Sequence, residues 1–395
     1  GETMKKTIII LLLFSTLLLF SLTYKEERGK TNQTNTINKQ IDILLEQMSL
    51  KEKIGQMLII YETHNTVDEN VTKLMQNLKP GGIILNRDNI TTYHQTKEYI
   101  EHLQNESQIP LIISVDQEGG TVQRLQLLKD IKPTFIPDMK QIGKTNNQTL
   151  AYQTGQILAK EAETLGINVL YAPVCDIVTD TENTAIGTRS FGATPELVSD
   201  MCTALANGIE STGLIATYKH FPGHGSTTTD SHQALPTVNK NMEELTNWDF
   251  IPFKKAIQNN AKIIMVGHIA LPNITNDLTP ASLSRTIITD ILKKELNYNG
   301  LVVTDALNMK ALTSNYTEEE IYTKAVEAGV DLLLMPKNPD LAIEVISKNI
   351  SEERINESVR KILTFKYSYL TESTVTNMGN LNNSSYEQVL NQIPT

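Results

Sequence analysis

The stretch Asn299-Gly300-Leu301-Val302-Val303-Thr304-Asp305 holds a turn, an apolar run without polar alternation, and an acid at its end. A short unalternated run of this kind is expected of a strand buried on both faces, the condition of a parallel sheet covered by helices. The same pattern recurs at residues 55–60, 82–85, 111–115, 169–172, 214–218, 263–266 and 332–335, making eight runs in all. Amphipathic stretches at 93–104, 150–164, 195–211, 242–259, 287–296 and 318–328 separate them and predict helices. Eight such alternations fit a (β/α)8 TIM-type barrel forming a single catalytic domain. A doubly wound sheet is the alternative, but it calls for a glycine-rich phosphate turn after an early strand, and no G-x-G-x-x-G stands there.

In a barrel the active site lies at the carboxyl ends of the strands, so the polar residues that follow each run become candidates by position. They are Asn86, Arg87, Asp116 to Glu118, Asp176, Lys219, His220, His268 and Asp305. The densest group follows the fifth run, where residues 219–232 read KHFPGHGSTTTDSH and carry three of the chain's seven histidines. Asp230 and His232 stand two apart, which on an extended segment turns both side chains to one face. A carboxylate beside an imidazole fixes its tautomer, and histidine exchanges protons near neutral pH, so the pair reads as an acid/base dyad. Asp305 at a buried strand end needs cationic or hydrogen-bonding partners; capping the next helix is its bland alternative. The sequence VDQEGG at 115–120, followed by Arg124, offers acids, close backbone approach and a cation, a set suited to sugar hydroxyls.

Composition bounds the partners. The chain has 395 residues, 40% of them hydrophobic, and a formal net charge of -10 with no basic patch, which argues against nucleic acid. Its two cysteines, Cys175 and Cys202, are too few for a disulfide framework and lack metal-ligand spacing; they read as buried apolar residues, with a bond between them left open. Lys5 and Lys6 precede an apolar run at 8–22, the pattern of an export signal or of an anchor that contacts the membrane. A buried core helix is the alternative. The expected organisation is an export signal or anchor with a polar linker at 1–38, the barrel at 39–370 and a polar tail at 371–395. The expected location is extracellular or at the cell envelope, and the expected state a monomer.

The combination VDQEGGTVQRL at 115–125, IGTRSFG at 186–192, KHFPGHGSTTTDSH at 219–232 and LVVTDALNM at 301–309 resembles glycoside hydrolase family 3, in its bacterial β-N-acetylglucosaminidase branch. The resemblance runs from about Ile41 to Lys366. It implies that Asp305 is the nucleophile, that His232 oriented by Asp230 is the acid/base, and that Asp116, Arg124, Arg189, Lys219 and His220 hold the sugar. It also implies a retaining exo-hydrolase of terminal β-linked N-acetylglucosamine, acting on peptidoglycan fragments or chitooligosaccharides, with no metal and no cofactor. The loop at 223–229, with two glycines and four hydroxyl residues, is expected to be a moving lid. One departure is Ser226, where this branch often has an acid. Three other readings stay open: a phosphorylase, which a histidine acid/base would tolerate; a metal-dependent barrel hydrolase using His220, His224, His232, His268 and Asp305; and a surface sugar-binding protein without catalysis.

Overall fold

The computed structural model describes residues 35–179, 183–227, 231, 234–370 and 378–394. The chain divides into two compact units, Gly1–Gln47 and Met48–Thr395. Of the first, the described part is a helix over residues 35–47. The apolar run at 8–22 lies outside the described residues. Among the described residues no helix is long and apolar enough to cross a membrane.

The second unit is an eight-stranded parallel barrel. Its strands are β1 (Leu58–Ile60), β2 (Gly82–Leu85), β3 (Ile112–Val115), β4 (Val169–Leu170), β5 (Ile215–Phe221), β6 (Ile263–Val266), β7 (Leu301–Thr304) and β8 (Leu333–Leu334). Each pairs in parallel with the next, and β8 pairs with β1 at Leu58 to Leu333. The ring closes between β7 and β8 through a bridge from Val303 to Leu332 and through Thr304 N donating to Leu332 O at 3.1 Å. Every residue of these eight strands is buried, as unalternated apolar runs require. Each aliphatic side chain so removed from water contributes about 1.5–3 kcal/mol.

Three expected elements differ. Residues 55 and 56 belong to the helix Leu50–Gln56, not to the first strand, because Ser49 and Glu52 form a capping box that starts a helix there. The stretch 242–259 is two helices, Met242–Thr246 and Ile251–Gln258, with Pro252 opening the second. The fifth strand runs three residues beyond the expected end and carries Lys219 and His220 within it. The segment expected to be a tail is, in its described part, docked: Leu381, Tyr386 and Ile393 are buried, and Asn382 N donates to Glu161 Oε1 at 2.9 Å. Its scattered apolar residues supply that anchorage.

Candidate active site

At the carboxyl ends of the strands a cavity of about 120 Å3 is lined by Asp116, Glu118, Arg124, Arg189, Lys219, His220, His224, Ser231 and Asp305, together with Val122, Ala185 and Ile186. Of the eight residues given catalytic or sugar-holding roles from the sequence, six therefore meet in one place. They are Asp116, Arg124, Arg189, Lys219, His220 and Asp305, brought from β3, β5, β7 and two loops. His232 and Asp230 lie outside the described residues; Ser231 between them is buried on the cavity wall. Asn86 and Arg87 do not line it, since the Asn86 carboxamide is turned back to accept from Arg87 N at 2.9 Å. His268 is likewise outside the wall, with Nδ1 against Ser282 Oγ at 2.7 Å and Nε2 against Ala306 O at 2.9 Å.

Local backbone chemistry sets these positions. After Asp116 the chain forms a short hairpin, Gln117–Gly119 against Val122–Gln123, whose turn places Gly119 and Gly120 at φ of 102° and 56°. Only glycine adopts that pair of conformations readily, so the Gly-Gly of the sequence is a turn that folds Glu118 and Arg124 towards the same cavity. Lys219 and His220 are carried by β5, where cis peptide bonds join Lys219 to His220 and Phe221 to Pro222. Asp305 follows β7 and is fixed from both sides: its N–H donates to Val266 O at 2.9 Å, and its Oδ1 accepts from Ala306 N at 2.7 Å.

Two charge networks fill the wall. In the first, Glu118 is 2% exposed and accepts two bonds from Arg189, Nε to Oε2 and Nη2 to Oε1, each at 2.8 Å. Lys219 Nζ lies 2.5 Å from Glu118 Oε1 and 2.9 Å from Asp116 Oδ1. Burial opposes the Glu118 charge, but Arg189 and Lys219 outweigh it and hold the carboxyl well below the usual carboxylate range. Burial likewise opposes the Lys219 charge, and Asp116 and Glu118 overcome it, so the lysine stays cationic. Arg124 lines the same wall and brings a buried Nε with no hydrogen-bond partner among the described residues.

The second network centres on Asp176, which is fully buried. Its Oδ2 lies 2.7 Å from His220 Nδ1, and its Oδ1 accepts from His224 N at 2.6 Å. Burial would raise the Asp305 carboxyl; His220, His268, the Ala306 N–H and Lys219 outweigh it and hold it below its ordinary value. An anionic Asp305 beside cations and hydrogen-bond donors is what a nucleophile requires. His224 is pushed down by burial, an effect that its Asp176 contact only partly offsets, and its ring sits between Thr227 Oγ1 at 2.8 Å and Ser231 Oγ at 3.3 Å.

The first half of the expected lid is not free. His224, Gly225 and Thr227 are buried, and Asn183 Nδ2 donates to the carbonyls of His224 and Gly225 at 3.1 Å each. A side chain at Gly225 would meet the Ile177 backbone, so this glycine serves close packing. Ser226, standing where an acid is often found, donates to Asp249 Oδ1 at 3.1 Å and accepts from Lys240 Nζ at 2.8 Å. Lys240 and Asp249 themselves pair at 2.6 Å. An acid is thus present in space, supplied by the turn between the helices Met242–Thr246 and Ile251–Gln258. Residues 228–230 of the loop lie outside the described residues.

Glu118 and Asp176 are site residues to which the sequence assigns no role, although position after β3 and β4 marks both acids; His224 has one only as a ligand in the metal-dependent alternative. Among the described residues no group of three or more His, Cys, Asp or Glu is arranged to hold a metal ion. Cys175 and Cys202 are free and buried, and burial raises the Cys202 thiol.

Residues 49–365 match the family model described as the glycosyl hydrolase family 3 N-terminal domain. A β-hexosaminidase of Idiomarina loihiensis is 32% identical over 310 residues, which cover 76% of this chain and 91% of that enzyme. β-Hexosaminidase A of Pseudoalteromonas piscicida is 30% identical over 334 residues, covering 76% of this chain but 55% of the relative, so the chain spans about half of that longer protein. A solved structure, a glycoside hydrolase family 3 β-N-acetylglucosaminidase from Paenibacillus, superposes with a TM-score of 0.81 at 34% identity, covering 88% of this chain and 68% of its own.

Proposed function

The chain belongs to glycosyl hydrolase family 3, and from that premise we propose that it is a retaining, exo-acting β-N-acetylglucosaminidase. The observation that carries this reading is the single cavity in which Asp305, held anionic, faces the Lys219, Arg124 and Arg189 cations. A small cavity, in place of a groove across the barrel, suits the terminal unit of a saccharide. The relatives named as β-hexosaminidases and the Paenibacillus β-N-acetylglucosaminidase supply the sugar.

In this mechanism an Asp305 carboxylate oxygen attacks the anomeric carbon as the glycosidic bond breaks, and the leaving oxygen takes a proton from His232. The same imidazole then removes a proton from water, whose oxygen displaces Asp305 and restores its carboxylate. Two inversions give net retention. Asp230 orients His232, and Asp116, Arg124, Arg189, Lys219 and His220 hold the sugar hydroxyls. An imidazole acid/base does not repel Asp305 as a second carboxylate would, so the two groups need not be driven apart in pKa. No metal or cofactor takes part.

The finer reading rests on the apolar run at 8–22. An export signal or anchor at 1–38 would place a monomeric barrel at 39–370 outside the cytoplasmic membrane, with 371–395 as its appendage. There the available substrates are peptidoglycan fragments, with chitooligosaccharides as the second class. Hydrolysis of an aryl β-N-acetylglucosaminide tests the activity: Asp305→Ala should reduce turnover by at least about 10⁴-fold, and near-normal activity would overturn the nucleophile assignment. Proton NMR of the first-formed anomer checks retention, and parallel incubation with muropeptides and chitobiose ranks the substrates.

A further inference from the structure

Asp176 does not itself line the cavity, yet it is bonded to two residues that do. It follows β4 and is 0% exposed, and each of its oxygens is engaged: Oδ2 with the His220 ring nitrogen Nδ1 at 2.7 Å, Oδ1 with the His224 backbone N–H at 2.6 Å. A third donor, His220 N, lies 3.4 Å from both oxygens. Burial raises this carboxyl, but His220 and His224 more than offset that, so it is a carboxylate at neutral pH. A carboxylate only accepts hydrogen bonds, so Nδ1 facing it must carry a proton. Nε2 is then the one ring nitrogen of His220 left for the cavity that this ring lines with Asp305 and Lys219.

The geometry points to Asp176 as a positioning residue that locks His220 in the Nδ1–H form, so that Nε2 meets the sugar, while holding the base of the 223–227 loop through His224 N. A buried carboxylate with two different donors has one arrangement that satisfies both, which makes it a fixed reference between β4 and β5. Asn183 reinforces the second half of this function by donating to the carbonyls of His224 and Gly225. The loop therefore leaves β5 along a path set by Asp176 and Asn183 before it reaches residues 228–233.

Asp176→Asn is the discriminating change. A carboxamide has one oxygen for two donors, and if that oxygen keeps His224 N, its NH2 faces Nδ1. Nδ1 must then give up its proton and Nε2 must take it. The ring stays in place and its tautomer is inverted.

The test uses the full chain with ring-15N-labelled histidine, and its kinetic arm rests on the hydrolase reading above. In the wild type the His220 ring should show protonated Nδ1, and in Asp176→Asn the neutral ring should show protonated Nε2. Turnover of the aryl β-N-acetylglucosaminide, read as kcat/KM, should fall roughly 100-fold in Asp176→Asn, the size of one lost electrostatic contact at a reacting site. In a His220→Gln background the same change should cost less than about threefold, because the residue through which it acts is gone. A wild-type ring with bare Nδ1 would overturn the proposal even if the variant failed to fold, and so would full additivity of the two substitutions. A wild type with the expected tautomer but no glucosaminidase activity would count against the hydrolase reading alone.

Discussion

The carboxyl-end mouth of the barrel and two fully buried groups away from it, Lys366 and Glu161, handle charge differently. At the mouth Glu118 is shared by Arg189 and Lys219, Lys219 by Glu118 and Asp116, and Asp176 by His220 and His224. Away from the mouth Lys366, fully buried, donates to a neutral amide, Gln56 Oε1, at 2.8 Å. Glu161, also fully buried, is served by Thr134 N and Oγ1 and by Asn382 N, all on one oxygen, while Oε2 has no partner among the described residues. Neither has an ionic partner among the described residues. Reciprocal pairing keeps the mouth groups charged, whereas burial without a counter-ion pushes Lys366 from its ordinary 10.5 down to about 7 and pushes Glu161 up. One end preserves charge for use on a ligand; the other tolerates charge for the sake of packing.

If that contrast is sound, the larger effects come from the mouth. Glu118→Gln leaves Arg189 and Lys219 facing a neutral amide, and removal of one member of a buried ionic group costs about 3–5 kcal/mol. The expected result at pH 7 is a clearly lowered denaturation midpoint and a loss of activity. The pH dependence follows from the depressed carboxyl: the Glu118 contribution is complete above its ordinary 4.5 and declines as pH falls below it. Wild type and variant should therefore converge in stability on acidification. Urea titrations at several pH values measure this, and a constant gap down to pH 3 would break the comparison.

The sequence revealed the barrel because strands buried on both faces leave an unmistakable apolar run, and β2 and β6 fall on the expected residues. It was weaker where two signals overlap. Gly55 and Gln56 continue an apolar run but answer to the capping box that begins at Ser49, an upstream signal that outweighs local hydrophobicity. In the site, residues with a motif around them, Asp116, Arg124, Arg189, Lys219, His220 and Asp305, were legible. Glu118 was visible only as an acid near Asp116, because its partners Arg189 and Lys219 are distant in sequence and pair through the fold. Asp176 carries no local mark beyond its place after β4, since its function consists of bonds to His220 and His224 across the barrel. The base of the 223–227 loop is packed where its glycines suggest movement, because glycine signals close packing and freedom alike, and at Gly225 the Ile177 backbone decides for packing.

Away from the mouth, the smaller effects should have the opposite sign. Below pH 7 the native state must hold a charged Lys366 in an apolar setting, while from 7 to 10.5 the unfolded chain binds the extra proton and stability rises with pH. Lys366→Met should therefore raise stability, by about 1–3 kcal/mol below pH 7 after the loss of the Gln56 bond, with a gain that shrinks as pH approaches 10.5. Activity per folded molecule should be unchanged.

Glu161 runs the other way in pH and sets the finest test. Its raised carboxyl means that the native state binds the proton more tightly than the unfolded chain, so its ionisation costs stability as pH rises from the ordinary 4.5 through the raised native value. Glu161→Gln removes that ionisation and keeps an oxygen for Thr134 and Asn382, at the cost of a buried NH2 in place of the bare Oε2. The variant should match or exceed wild type by up to about 1 kcal/mol near pH 8 and lose that advantage near pH 4. Guanidinium titrations at the two pH values read the difference directly. A larger loss for the variant at pH 8 than at pH 4 would mean that Glu161 is stabilised as an anion, and the distinction between a charge-preserving mouth and a charge-tolerating interior would fail at this position.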